Sequence, residues 1–222
     1  MITKMLAVST LKNNINTMNT YHHGNLKEEL IACACRLCER DGYTKLSIRS
    51  LAKESGVSQT APYRHFETKE ALYASVATNG FKKLSEACYI DVEKKVTKKQ
   101  LVDAGCRYIE FGLKNANTYD LMFGTAVGNF ANYPDLLESA NKTYDSFRSS
   151  FSKLANDSED VIAFKCLTLW SMVHGLVGII RKVHVVGDDL NQTNQGPITS
   201  ARIIADNLEQ HLDRVLSGLI QN

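Results

Sequence analysis

Gln59, Thr60 and Tyr63 are the residues whose types and spacing point most directly to a chemistry. A glutamine can bond an adenine edge through two contacts. A threonine can bond a base or touch a thymine methyl. Tyr63 follows Thr60 by three residues and Gln59 by four, so on a helix all three share one face. Ser47, His65 and Lys69 bring hydroxyl, imidazole and ammonium groups that can reach phosphates. Arg49, Ser58 and Thr68 complete the candidate set.

The elements that must position these groups can be read from the same stretch, residues 47–69. Ser47 caps a short helix expected from about Ile48 to Ser55. Gly56 supplies the left-handed backbone that ends it, and Val57 is the apolar residue that seats the turn. Ser58 then caps a second helix, expected from about Gln59 to His65. Pro62 lies near its start, where a missing N–H and a fixed φ cost least. Thr68 caps a third helix, whose positive N-terminal end also attracts phosphate. Two short helices broken by a glycine turn fit a helix-turn-helix, which inserts its second helix into the DNA major groove. The competing reading is two packed helices in an unrelated helical protein.

Wider features lower that competitor. Gly56-Val57-Ser58, Tyr63-Arg64-His65-Phe66 and Lys69-Glu70-Ala71-Leu72 stand in order, preceded by a helix over Leu26 to Arg40, by Asp41-Gly42-Tyr43 and by Leu46-Ser47-Ile48-Arg49. The stretch resembles the TetR family of bacterial transcriptional regulators, strongly over about 24–85. The wording YHHGNL at Tyr21 to Leu26 and APYRHF at Ala61 to Phe66 resembles one subgroup. That subgroup carries a Trp-His-Gly signature in its C-terminal domain, and Trp170, His174 and Gly175 supply it here.

Composition adds bounds. The chain has 222 residues and a net charge of only +2, so bulk charge does not announce nucleic acid. Its distribution does lean that way: residues 1–90 carry +4 and residues 91–222 carry −2. Cys33, Cys35 and Cys38 crowd one expected helix, and Cys88, Cys106 and Cys166 are scattered. A metal site would need a matching second pair, which is not visible. The cluster therefore reads as small core residues, reduced in a cytoplasm. The first residues lack the apolar core of a secretory signal. No metal and no cofactor are expected. No paired-carboxylate, Ser-His-Asp, P-loop or dinucleotide fingerprint appears at a credible spacing, so an enzyme is disfavoured.

The expected organisation is all-α with about nine helices. Residues 1–20 form a flexible tail, with Met18 as an alternative start. Residues 21–90 form the three-helix DNA-binding domain and the start of a linking helix. Residues 91–222 form a sensing and dimerisation domain. An arm at Tyr21, His22 and His23 can touch the minor groove or phosphates, or be a solvated leader. Helices are expected from about Asn25 to Arg40, from Lys69 to Val92 with a bend at Gly80, and from Lys98 to Lys114. Further ones run near Tyr119 to Val127, from Pro134 to Ala155, from Glu159 to Val183 and from Ile198 to Leu219, with a polar loop at 185–197. The run Val161 to Ile180 is long and apolar enough for a membrane. Lys165 and His174 inside it argue instead for a helix buried on most sides, in a core or a dimer interface.

The family resemblance implies a homodimer on double-stranded operator DNA, with its last two helices forming a four-helix bundle. Val173, Leu176, Val177 and Ile180, with Leu169, make one candidate interface stripe. Ile204, Leu208, Leu212 and Val215, with Ile203 and Leu219, make another. It also implies a small, apolar effector held between the middle helices. Tyr108, Phe111, Met122, Phe123, Phe130, Tyr144, Phe147, Trp170 and His174 are the candidate lining. Aromatics at helical spacing are equally the material of a core, and His174 can simply bond within one. The expected function is a cytoplasmic ligand-responsive repressor; a DNA-binding dimer without any ligand is the alternative.

Overall fold

The computed structural model describes residues 26–186 and 196–220. The expected tail, the arm at Tyr21 to His23 and most of the loop at 185–197 lie outside them. Among the described residues there are nine α-helices, three short 3-10 turns and no strand. Helix α1 spans Leu26–Asp41 and α2 spans Ile48–Glu54. Helix α3 spans Lys69–Ala87, α4 Lys98–Lys114 and α5 Ala116–Phe123. Helix α6 spans Pro134–Ser152, α7 Glu159–Val186, α8 Gly196–Asp206 and α9 Leu208–Ile220.

Sequence-encoded caps set several of these limits. Ser47 accepts the Ser50 N–H at 3.0 Å, and Ser50 reciprocates to the Ser47 N–H at 2.9 Å. Thr68 accepts the Ala71 N–H at 3.0 Å, and Thr97 with Gln100 forms a second reciprocal cap at the start of α4. Pro134 opens α6, where its missing N–H is an orphan anyway. At the end of α2, Gly56 adopts φ +66°. The Val57 N–H then reaches the Ala52 carbonyl at 3.1 Å, and the Gly56 N–H reaches Lys53 at 3.4 Å. A left-handed backbone strains any side chain, so Gly56→Ala is expected to cost about 1 kcal/mol. Urea denaturation of the full chain would measure it, and an unchanged midpoint would count against the strain.

Three limits differ from expectation. The expected linking helix ends at Ala87 rather than Val92. There Asp91 accepts the Glu93 N–H on its side chain at 3.1 Å and the Lys94 N–H on its carbonyl at 3.3 Å, which turns the chain. The helix is unbroken at Gly80. That glycine serves close packing, since a Cβ there would lie 2.5 Å from Met122 Sδ. The single last helix is two, broken at Asn207, whose side-chain amide donates to the Ile203 carbonyl at 2.9 Å.

One continuous cluster of buried side chains runs from Leu30 in α1 to Leu216 in α9. Helix α3 packs on α6 and α5, α4 on α9 and α7, and α7 on α8. Cys33 and Cys38 lie inside the core beside Leu30 and Leu37, and burial pushes the Cys38 thiol up to about 12. No group of metal ligands occurs among the described residues.

Helix α7 divides its apolar residues between two faces. Only 28% of its apolar window is buried within the single chain, so the core of one copy does not cover it on most sides. Its inward stripe is Leu169, Leu176, Val177 and Ile180, which pack on the rest of the same chain. Leu208 and Leu212 of α9 are buried likewise. The single chain already covers these side chains, so they offer little surface to a second copy. Val173, Ile204 and Val215 are half-buried against the same core. The open face of α7 instead carries Phe164 at 72%, Leu167 at 50% and Ile179 at 49% exposure, with Gly175 and Gly178 between them. Ile203 on α8 is 60% exposed. A helical period has two apolar faces here, and the sequence pattern does not say which faces inward.

Candidate functional site

The segment after Gly56 is not the expected α-helix from Gln59 to His65. Residues 59–61 form a turn, and Pro62–Arg64 form a 3-10 turn. The Ala61, Arg64 and His65 N–H groups bond three residues back, to Ser58, Ala61 and Pro62. Pro62 has no N–H with which to make the four-back bond, so the tighter winding takes over. Ser58 is not a backbone cap; its hydroxyl lies 3.2 Å from that of Thr60. Only part of the expected face survives, because residues three apart eclipse in a 3-10 turn whereas Gln59, four before Tyr63, does not. Thr60 and Tyr63 therefore still align. Ser58, Gln59, Thr60, His65 and Arg64 are exposed, as is Tyr63 at 55%. Pro62 and Phe66 are buried beneath them and fix the segment to the core.

The flanking candidates fall nearby in different roles. Arg49 is exposed on α2, and Ser47 is half-buried with its hydroxyl committed to the cap. Thr68 is exposed at the start of α3. Lys69 donates to the Thr44 carbonyl at 3.3 Å and lies 5.2 Å from the Tyr73 ring centre. That tie brings Thr44 and Lys45, both exposed, beside the start of α3. The sequence reading had not included these two.

A cavity of about 480 Å³ lies among α3, α4, α6 and α7, a size within the usual range for small-molecule sites. Tyr108, Met122, Phe123, Phe130, Tyr144, Phe147 and Trp170 line it. Phe111 and His174 do not: Phe111 is buried beside a separate polar groove between α1 and α3, and His174 sits behind the wall. Its Nδ1 is 2.6 Å from the Tyr119 hydroxyl, with the two rings stacked at 5.4 Å. Burial holds the imidazole below its ordinary pKa, which favours the neutral form. The sequence reading missed the wall given by Phe81 and Leu84 of α3 and by Cys88, its C-terminal cap.

Helix α5 links this cavity to the first helices. Its N-cap position, Asn115, makes no side-chain cap bond and donates to the Phe111 carbonyl instead. The orphan amides are met from α1. The Glu39 carboxylate accepts the Asn117 N–H at 3.3 Å, the Thr118 N–H at 3.1 Å and the Thr118 hydroxyl at 2.9 Å. The charge also suits the positive end of the helix. Asp120 on α5 pairs through two bonds with Arg181 on α7, at 2.5 and 2.9 Å. Beyond α5, Glu70 of α3 accepts the Gly128 N–H at 3.0 Å. Met122, Phe123 and Gly124, at the far end of α5, line the cavity.

Residues 30–76 match the family of bacterial regulatory proteins, tetR family. Residues 101–193 match the tetracyclin repressor-like C-terminal domain. The chain belongs to the TetR family. Over 92 residues it is 33% identical to YerO, an uncharacterized HTH-type transcriptional regulator of Bacillus subtilis strain 168. That match spans 38% of the chain and 31% of the relative's length. A protein of unknown function from Rhodococcus sp. RHA1 shares the fold at 23% identity and TM-score 0.66, over 91% of this chain and all of that one. BioQ bound to its natural double-stranded DNA operator aligns at 17% identity and TM-score 0.57, over 88% and 98% of the two chains. A TetR variant from Acinetobacter baumannii AYE in complex with minocycline aligns at 18% and 0.57, over 86% and 94%. Within this TetR-family fold, Glu39 is the residue that sequence reasoning passed over. A carboxylate in the last turn of a helix opposes the helix dipole, and that was the available signal that its partner lay elsewhere.

Proposed function

We propose that this chain is a ligand-responsive repressor that binds a palindromic operator as a homodimer. Family membership and the exposed side chains of Gln59, Thr60 and Tyr63 support the DNA-reading part. Two copies are required so that two such sets meet half-sites along one face of DNA. The open α7 face of Phe164, Leu167 and Ile179, with Ile203 of α8, is the surface we assign to the second copy. Such an apolar patch is costly in water unless covered.

The observation that carries the ligand-responsive part is that one helix belongs to both regions. The start of α5 is held by Glu39 of α1, and its end forms cavity wall. An effector in the cavity that favours a shifted α5 thereby favours a different placement of α1 to α3. The ligand-free dimer holds its two reading segments at operator spacing, and effector binding shifts the population away from it.

Selection from random double-stranded DNA with the full chain tests the DNA part. The expected product is a palindrome whose binding weakens steeply with salt. Tyr63→Ala is expected to weaken it about 10-fold. Failure to enrich any sequence would sink the regulator reading.

A further inference from the structure

The cavity lining contains no Asp, Glu, Lys, Arg or His. An ion entering it would give up water without meeting a counter-charge, a penalty of several kcal/mol in such surroundings. Ring walls from Phe123, Phe130, Tyr144, Phe147 and Trp170 suit a flat aromatic guest.

The polar wall groups add a direction. Trp170 Nε1 donates to the Tyr108 oxygen at 3.2 Å. The Tyr108 and Tyr119 hydroxyls are 3.0 Å apart, and Tyr119 is 2.6 Å from His174 Nδ1. Every hydrogen in this chain finds an acceptor if Trp170 gives to Tyr108, Tyr108 to Tyr119, and Tyr119 to a neutral His174. The reverse order leaves the Tyr108 hydrogen over. Thr143 gives its hydrogen to the Ser139 carbonyl at 2.8 Å, and Ser150 gives its own to Ser146 at 2.9 Å. These oxygens keep lone pairs, while Ser85, Asn141 and Ser146 in the same lining carry hydrogens that can be donated. Tyr144 can donate or accept.

We infer that the cavity selects an uncharged aromatic molecule, of the size of a naphthalene or indole, and rejects ions of the same size. The inference rests on reading the cavity as a ligand site. Trp170 is the only tryptophan in the chain, so its fluorescence reports occupancy at this place.

The experiment titrates the full chain near neutral pH with naphthol, methoxynaphthalene, naphthoate and naphthylmethylammonium. Quenching of Trp170 and the thermal shift are followed together. Naphthol is expected to quench saturably and raise Tm. Methoxynaphthalene, which is equally uncharged, is expected to bind within a few-fold of naphthol, and both ions about 100-fold more weakly. Either ion quenching Trp170 with the affinity of naphthol would overturn the charge exclusion and leave the ligand-site reading standing. A thermal shift without Trp170 quenching, or no binding by any of the four, would overturn the ligand-site reading and the proposed class with it.

Discussion

Glu39→Ala is expected to destabilise the chain by about 2–3 kcal/mol. The carboxylate accepts three bonds from the first turn of α5, and bonds to a charged group are worth about 1.5–3 kcal/mol net. Removing it also strands two amides that Asn115 does not cap. Thr118 is buried, so water replaces the lost acceptor poorly. Amide hydrogen exchange should rise first at Asn117, Thr118 and Tyr119, well before it rises in α4. Glu39→Gln, which keeps an acceptor but not the charge, should lie between the two. Uniform exchange throughout the chain would mean that Glu39 supports global stability alone and does not hold α5. Under the proposed function, Glu39→Ala should also reduce the effect of a cavity ligand on operator affinity, because α1 then holds α5 only by packing and by the bond from the Asn117 side-chain amide to the residue-39 carbonyl, at 2.8 Å.

Gly112→Val is expected to cost about 3 kcal/mol or more. Helix propensity favours the change slightly, since glycine is the poorer helix former. Packing decides the sign. A Cβ at Gly112 would lie 2.6 and 2.8 Å from the two methyls of Val177, and 3.1 Å from a Tyr119 ring carbon. Val177 is fully buried and branched at Cβ, so it has no second rotamer to move into. Helices α4 and α7 would have to separate, which disturbs the Tyr119–His174 contact as well. Thermal unfolding measures the loss. Gly112→Ala is the sharper check: propensity alone would raise stability by about 1 kcal/mol, so a raised Tm would refute the close packing.

The readable parts of this protein were those governed by local chemistry. Ser47, Gly56, Thr68 and Pro134 each act on their own few residues of backbone, and each was found in the role its type implies. The family motif over residues 47–69 named the fold for the same reason, because a tight turn between short helices tolerates few residue types. Legibility failed first where a single atom's absence changes the winding: Pro62 converted an expected α-helix into a 3-10 turn.

It failed more broadly where a choice depends on distant chain. The apolar residues of α7 fill two faces, and periodicity ranks both alike. Only the packing of α4 against α7 decided that the Val177 and Ile180 face turns inward and that Phe164, Leu167 and Ile179 turn outward. Phe111 and His174 look like Tyr108 and Trp170 in sequence, yet the first pair stands outside the cavity and the second lines it. The bond from Glu39 to Thr118 joins residues 79 positions apart, so no local pattern announces it. By itself the sequence determined the caps, the turn and the family, because these follow from each residue's own backbone and hydrogen-bonding preferences. The tertiary structure alone decided which apolar face is core, where the cavity lies and which carboxylate ties α1 to α5, because each of these depends on which distant surfaces exclude water together.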